Sequence, residues 1–243
     1  MGLHSAPSAR GGGHRARKRR TIAAVLPPSD HDWMAAAARL AARARPLARP
    51  NPGVAALVVQ HGRVIARGWT QAGGRPHAEA MALASLSPAA LAEATLYVTL
   101  EPCAHQSARG PSCADLILAA RPARVVIGQR DPDPRTSGAG IARLQTAGID
   151  TRLLDDPASA ASLAGFLTRQ HAGRPWVTLK LAMSLDGCIA LADGTSRWIT
   201  GEAARAQVHA LRATHDAVLI GTGTALADNP ELTCRLPGCE QPP

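Results

Sequence analysis

The residues able to do chemistry in this chain concentrate in three short motifs: His77-Ala78-Glu79, Pro102-Cys103 and Cys113. Imidazole nitrogen and thiolate sulfur suit zinc, and one His with two Cys leaves a fourth tetrahedral position open for water. Zinc in such a site lowers the pKa of its water from about 15.7 toward 7, which makes hydroxide available at neutral pH. A glutamate two residues from the histidine can hold that water without binding metal, take its proton and pass it to a leaving amine. His77, Cys103 and Cys113 are therefore the expected zinc ligands and Glu79 the expected catalytic acid and base. Any one of these residues alone would read as structural, since cysteine is often simply buried. A closed structural zinc needs a fourth ligand, and His105 is awkwardly placed to reach the metal held by Cys103, two residues before it. Cys188, Cys234 and Cys239 have no such context and read as ordinary.

The three motifs need elements that bring them together. Ser29 or Asp30 caps an Ala-rich helix running to about Ala44, with Trp33, Met34, Ala37, Leu40 and Ala41 on one face. Val54–Val59 and Arg63–Trp69 read as strands joined at His61-Gly62. A helix starts near His77 and runs to about Leu86. Thr95–Leu100 is a strand, 101–112 a loop, Cys113–Ala120 a helix, Val125–Gly128 a strand, Ala139–Ala147 a helix and Thr151–Leu154 a short strand. His77 and Cys113 each open a helix, and Cys103 follows a strand, so all three lie at element ends that can converge; a helix start also favours thiolate over thiol. Helices alternating with strands after a hairpin predict a three-layer α/β domain ending near residue 155. Asp156 to Gly173 reads as a connecting helix. A second unit begins at Pro175, with strands Trp176–Leu181, Cys188–Leu191 and Asp216–Ile220, a turn at Asp186-Gly187 and a helix Glu202–Leu211. An H-x-E motif followed by paired cysteines is the arrangement of zinc nucleobase deaminases, except that nine residues separate the cysteines here instead of two.

Composition narrows the partners. The formal charge is +9 over 243 residues, from 27 Lys and Arg against 18 Asp and Glu. Arg10, Arg15, Arg17, Lys18, Arg19 and Arg20 precede the first acid, so removing six leaves 21 − 18 = +3 for the rest. Residues 1–28 read as a disordered basic tail. The six aromatic residues are too few for a nucleic-acid stacking platform, and no apolar run approaches the roughly 20 residues that span a membrane. Five irregularly spaced cysteines do not form a secreted disulfide framework, so a reducing, cytoplasmic setting is expected. Asparagine occurs only at Asn51 and Asn229, and lysine only at Lys18 and Lys180; where composition has nearly emptied a residue type, the survivors merit attention.

Beyond the zinc motifs, several further segments carry a resemblance. They are Asn51-Pro52-Gly53-Val54, Tyr97 through His105, Arg130-Asp131-Pro132-Asp133-Pro134 and Gly138-Ala139-Gly140-Ile141. Downstream stand Val177 through Gly187, Ser196 through Thr200, Gly221 through Thr224, Ala227 through Pro230 and Leu232 through Arg235. Over residues 31–236 the chain resembles the bifunctional riboflavin-biosynthesis deaminase/reductase family. The resemblance implies a cytidine-deaminase-like zinc domain at 29–155, a linker helix at 156–174 and the first part of a dihydrofolate-reductase-like α/β domain at 175–243. It implies hydrolytic removal of the 2-amino group of a diaminopyrimidinone carrying phosphoribosylamine, then NADPH-dependent reduction of the ribosyl group to ribityl. The substrate contacts it implies are Asn51 and His105, with Arg109 as the cation suited to a phosphorylated ligand. In the second unit it implies substrate contacts at Ser196, Arg212, Leu232 and Arg235, with Lys180 nearby, and NADPH contacts at Ala182, Trp198, Thr224 and Asp228.

Three departures from the family pattern stand out. The inter-cysteine loop Ala104–Ser112 has nine residues instead of the usual eight. Thr70 stands where the family commonly has a histidine. The family's reductase domain continues well beyond Arg235, so residues 175–243 are expected to form no competent reductase alone, and to leave strand edges and apolar surface uncovered. The alternatives to this reading are another zinc nucleobase or nucleoside deaminase, a nucleic-acid module using the basic tail, and an inactive remnant. Oligomeric state is not legible in the sequence, although an exposed part-domain is compatible with a homo-oligomer.

Overall fold

The computed structural model describes residues 27–45, 47–105 and 107–238. The basic tail up to residue 26, and Cys239, lie outside the described residues. Helix α1 (Asp30–Ala41) starts at a capping box: Ser29 Oγ accepts the Asp32 N–H, and the Asp32 carboxylate accepts the Ser29 N–H at 2.8 Å. A short 3-10 segment, Ala42–Ala44, extends it to the expected end. Strands β1 (Ala55–Gln60) and β2 (Arg63–Trp69) form the hairpin, and helix α2 (Ala78–Leu83) follows. The helix expected to reach Leu86 ends at Leu83, because Ser87 caps a separate turn, α3 (Pro88–Leu91).

Strand β3 (Thr95–Leu100), helix α4 (Cys113–Ala120), strand β4 (Arg124–Gln129), helix α5 (Ala139–Thr146) and strand β5 (Asp150–Leu153) complete the unit. The sheet order is β2-β1-β3-β4-β5; β1 pairs antiparallel with β2 and β3, while β3, β4 and β5 are parallel. Side chains alternate across the sheet with period two. Ala56 and Val58 of β1 join Leu96, Val98, Ile117, Ile127 and Leu144 in the larger core. Leu57 and Val59 face the other way, onto Met34 and Ala37 of α1 with Tyr97 and Val126. The sheet is thus sandwiched between α1 on one face and α2, α4 and α5 on the other, the three-layer α/β arrangement expected. A polar knot locks α1 to the sheet: Arg124 donates to both Asp30 carboxylate oxygens at 3.0 and 2.8 Å, and Tyr97 Oη donates to the same group at 2.8 Å.

The connecting helix is interrupted. Helices α6 (Pro157–Ser162) and α7 (Ala164–Ala172) meet at Leu163, whose φ of −105° and ψ of 7° break the helical path while its side chain enters the larger core. Beyond residue 174 the elements are α8 (Glu202–Ala213) and α9 (Thr222–Asp228). The three strands expected at Trp176–Leu181, Cys188–Leu191 and Asp216–Ile220 are not formed. A strand exists by virtue of its ladder, and no neighbour among the described residues supplies one. The backbone there makes local turns instead: the Gly187 N–H donates to Ser184 O at 3.0 Å, with Gly187 at φ +84°, as the Asp186-Gly187 turn requires. Val177, Leu179 and Leu219 are 75%, 80% and 97% exposed, which bears out the expected apolar surface. Among the described residues, no helix is long and apolar enough to cross a membrane.

Candidate metal centre

Helix starts and a strand end deliver the three ligands. His77 is the N-cap of α2, with extended backbone at φ −72° and ψ 165°. Cys103 follows β3 through the Glu101-Pro102 pair. Cys113 is the first residue of α4, which begins at a second capping box: Ser112 Oγ accepts the Asp115 N–H, and the Asp115 carboxylate accepts the Ser112 N–H, each at 3.2 Å. The Cys113 N–H donates to Cys103 Sγ at 3.3 Å, and the Ala114 N–H to Cys103 O at 3.1 Å, so the two cysteine segments lock together through the main chain.

His77 Nδ1 lies 3.2 Å from Cys113 Sγ and 3.6 Å from Cys103 Sγ. Donor atoms of all three residues fall within 4.8 Å of one another, and among the described residues this is the group of His, Cys and acids able to hold a metal. A tetrahedral zinc with ordinary bond lengths would place its nitrogen and sulfur ligands about 3.5 Å apart, so the donor set fits zinc in both kind and spacing. Hydrogen bonds from Cys113 and His77 outweigh burial and pull the Cys103 thiol down to about 4. Its hydrogen bond to Cys103, with burial and the Glu79 carboxylate, pushes the Cys113 thiol up. Metal binding by cysteine requires thiolate, so a divalent cation binding here would displace the thiol protons.

Glu79, one helical residue beyond Ala78, is 3% exposed and sits beside the Cys113 sulfur. Burial pushes its carboxyl up. A buried, chargeable oxygen beside three metal donors has the position required of a proton carrier.

The other expected site residues distribute unevenly. Asn51 packs against the 72–74 turn: its Nδ2 donates to Gly73 O at 3.4 Å, and a Cβ on Gly74 (φ +86°) would stand 2.0 Å from that nitrogen. His105 is outside the metal-binding group; its Nδ1 lies 3.3 Å from Thr136 Oγ1. Arg109 is exposed at the tip of a turn closed by Ser107 and Gly110. Thr70 is buried and ties two backbone segments together, accepting the Val54 N–H at 3.0 Å.

In the second unit, Lys180, Ala182, Ser196, Trp198, Arg212 and Arg235 line one cavity of about 380 Å³. Arg205, which the sequence did not single out, also lines it and places its guanidinium 4.4 Å from the Trp198 ring centroid. Thr224, Asp228 and Leu232 are not among its lining residues; Asp228 instead lies 3.4 Å from Arg197.

Three residues near the metal donors escaped sequence reasoning. Glu101 is buried, and its carboxylate accepts the N–H groups of Asp131 at 3.3 Å, Gly138 at 3.0 Å and Ile141 at 3.2 Å. Its signal was an acid wedged between an apolar strand and Pro102. Arg143 bonds to both ends of the inter-cysteine loop, and in sequence it looked like an ordinary helix-surface cation. Arg75, two residues before His77, keeps its Nε buried with no hydrogen-bond partner among the described residues.

Comparison with known proteins bears on both units. Residues 27–129 match the family described as the cytidine and deoxycytidylate deaminase zinc-binding region, and residues 175–243 match the RibD C-terminal domain. Over 208 residues the chain is 45% identical to the riboflavin biosynthesis protein RibD of Escherichia coli, a match covering 85% of this chain and 56% of that protein. The Aquifex aeolicus protein of the same name is 40% identical, with 88% of this chain and 60% of that one covered. The solved structure of Acinetobacter baumannii RibD superposes with a TM-score of 0.73 at 41% identity, over 85% of this chain and 58% of the other. A Thermotoga maritima diaminohydroxyphosphoribosylaminopyrimidine deaminase/5-amino-6-(5-phosphoribosylamino)uracil reductase gives 0.76 at 40% identity, over 88% and 62%. The chain therefore spans a little over half the length of these relatives.

Proposed function

We propose that the chain is a member of the RibD family of riboflavin biosynthesis proteins, which it resembles in both units, and that residues 29–155 catalyse the zinc-dependent hydrolytic deamination of 2,5-diamino-6-(5-phosphoribosylamino)pyrimidin-4-one. The observation that carries this reading is the convergence of His77, Cys103 and Cys113 beside the buried Glu79. When bound, zinc would supply a Lewis acid that brings the pKa of water toward 7. His77 Nδ1 and the two cysteine sulfurs would hold it. Glu79 takes a proton from the attacking water and delivers it to the amino nitrogen. The water oxygen bonds to the carbon that bears the 2-amino group; as the exocyclic C–N bond breaks, ammonia leaves, the second water proton passes to the adjacent ring nitrogen and a carbonyl forms at that carbon. Asn51 and His105 would orient the pyrimidine through its polar edge, and Arg109 would meet the phosphate.

The remaining assignments follow the same family. Residues 1–28 are a basic tail, 156–174 a linker, and 175–243 part of a reductase domain. Its cavity would take NADPH through Ala182 and Trp198 and the ribosyl substrate through Ser196, Arg212 and Arg235; Thr224 and Asp228 for the cofactor, and Leu232 for the substrate, follow from the family alone and lie outside that lining. We propose no reductase turnover for the 243-residue chain, because its described residues form no sheet in that unit; NADPH binding at physiological concentration would overturn this. The partner is a small phosphorylated pyrimidine and not a nucleic acid, in keeping with the near-neutral body and few aromatics. The metal-ligating free thiols favour the cytoplasm. The exposed apolar segment favours a homo-oligomer.

Ammonia release from that substrate, wild type against Glu79→Gln, tests the deaminase reading. Turnover should fall by at least about 100-fold while zinc stays at about one per chain. Unchanged turnover would remove Glu79 from the mechanism, and absence of zinc from the wild type would remove the reading itself.

A further inference from the structure

Helix α5 supplies no metal ligand, yet it contacts the chain beside both cysteines. Its first turn rests on the Cys103 segment. A Cβ on Gly140 would stand 2.3 Å from Pro102 O, so only glycine permits this approach. The Glu101 carboxylate completes the contact by accepting the Ile141 N–H. One turn on, Arg143 Nη1 donates to Ala104 O at 3.1 Å and to Ser112 Oγ at 3.3 Å, while Nη2 bonds to the Asp115 carboxylate. Ala104 directly follows Cys103, and Ser112 directly precedes Cys113. One guanidinium thus ties together the residues flanking both cysteines on their loop side.

We propose that Arg143 is a positioning residue for the metal centre, setting the separation of Cys103 and Cys113 by pinning the two ends of the loop between them. The inference rests on reading those cysteines as metal ligands. Guanidinium geometry suits the task, since its fork reaches three acceptors in fixed directions, which a lysine ammonium cannot reproduce. Partners of this outer kind typically contribute 10- to 100-fold to metal affinity.

Cobalt(II) titration of the full chain tests the proposal, because thiolate-to-cobalt and ligand-field absorption report sulfur geometry without any turnover. Arg143→Ala should bind cobalt about 10- to 100-fold more weakly, with shifted visible bands. Arg143→Lys, which keeps the charge and most of the stem, should remain impaired and provides the comparison if the alanine variant does not fold. Met34→Ala, on the opposite face of the sheet, should lower the melting temperature and leave the spectrum unchanged. Wild-type affinity and spectrum in either foldable Arg143 variant, with only a lower melting temperature, would overturn the proposal. Failure of the wild type to bind cobalt would instead overturn the ligand assignment on which the proposal rests.

Discussion

The backbone N–H of Cys113 donates to the sulfur of Cys103 across 3.3 Å, so the main chain of one candidate ligand supports the side chain of the other. The contact comes from the start of α4, where the first amides have no intrahelical acceptor. It ties the geometry of the metal site to the capping box at Ser112, and it makes the cysteines non-equivalent.

Replacing either cysteine by serine should therefore abolish stable metal binding. Zinc measured by plasma mass spectrometry should fall from about one per chain to near zero, since two protein ligands rarely hold a structural or catalytic zinc. Chelation of the wild type should lower its melting temperature. A ligand at 1,000 times its dissociation constant contributes about 4 kcal/mol to the folded state. Melting with and without chelator is the measurement.

Asp30 should make the fold acid-sensitive. Burial alone would raise its carboxyl, but hydrogen bonds from Arg124 and Tyr97 outweigh burial and lower it. A lowered carboxylate contributes stability that is fully present above its ordinary pKa of about 3.8 and is lost as pH falls through the depressed value. Asp30→Asn should cost about 1.5–3 kcal/mol at pH 7, the range for hydrogen bonds to charged groups. The gap from wild type should close as pH drops below about 4. Urea midpoints at several pH values measure both effects.

Gly74→Ala should disturb substrate binding before it disturbs metal binding. Gly74 has φ +86°, and an added Cβ would collide with the amide of Asn51. Loss of one hydrogen bond of about 1 kcal/mol corresponds to a roughly 5-fold rise in KM. Zinc content should stay at about one per chain.

Leu179→Lys with Leu219→Lys should reduce self-association without changing the first unit. Both side chains are largely exposed, and contiguous exposed apolar surface drives association. Sedimentation velocity should show less high-mass material, and binding of a hydrophobic dye should fall. Cobalt binding should stay the same.

Sequence patterns located the first unit closely. The span Cys113–Ala120 agrees with the observed helix residue for residue, as do Thr95–Leu100 and Arg63–Trp69 with their strands. These are elements whose periodicity, caps and turns are local. β1 is apolar on both faces, so the division of Ala56 and Val58 from Leu57 and Val59 was settled only by packing on the two sides of the sheet. The second unit shows the limit: Trp176–Leu181 carries strand-forming residues, but strand formation depends on neighbours that local pattern cannot supply.

The sequence by itself determined the chemistry available to this protein, because residue type fixes donor softness, charge and proton capacity. His77, Glu79, Cys103 and Cys113 were legible on that ground. Tertiary structure alone decided their convergence within 4.8 Å for the metal donors, and it alone revealed the partners of Glu101 and Arg143. Those partners lie as far as 40 residues away in sequence. Such contacts arise when α5 docks beside the cysteine segments, and a hydrogen bond between distant residues leaves no local periodicity to read.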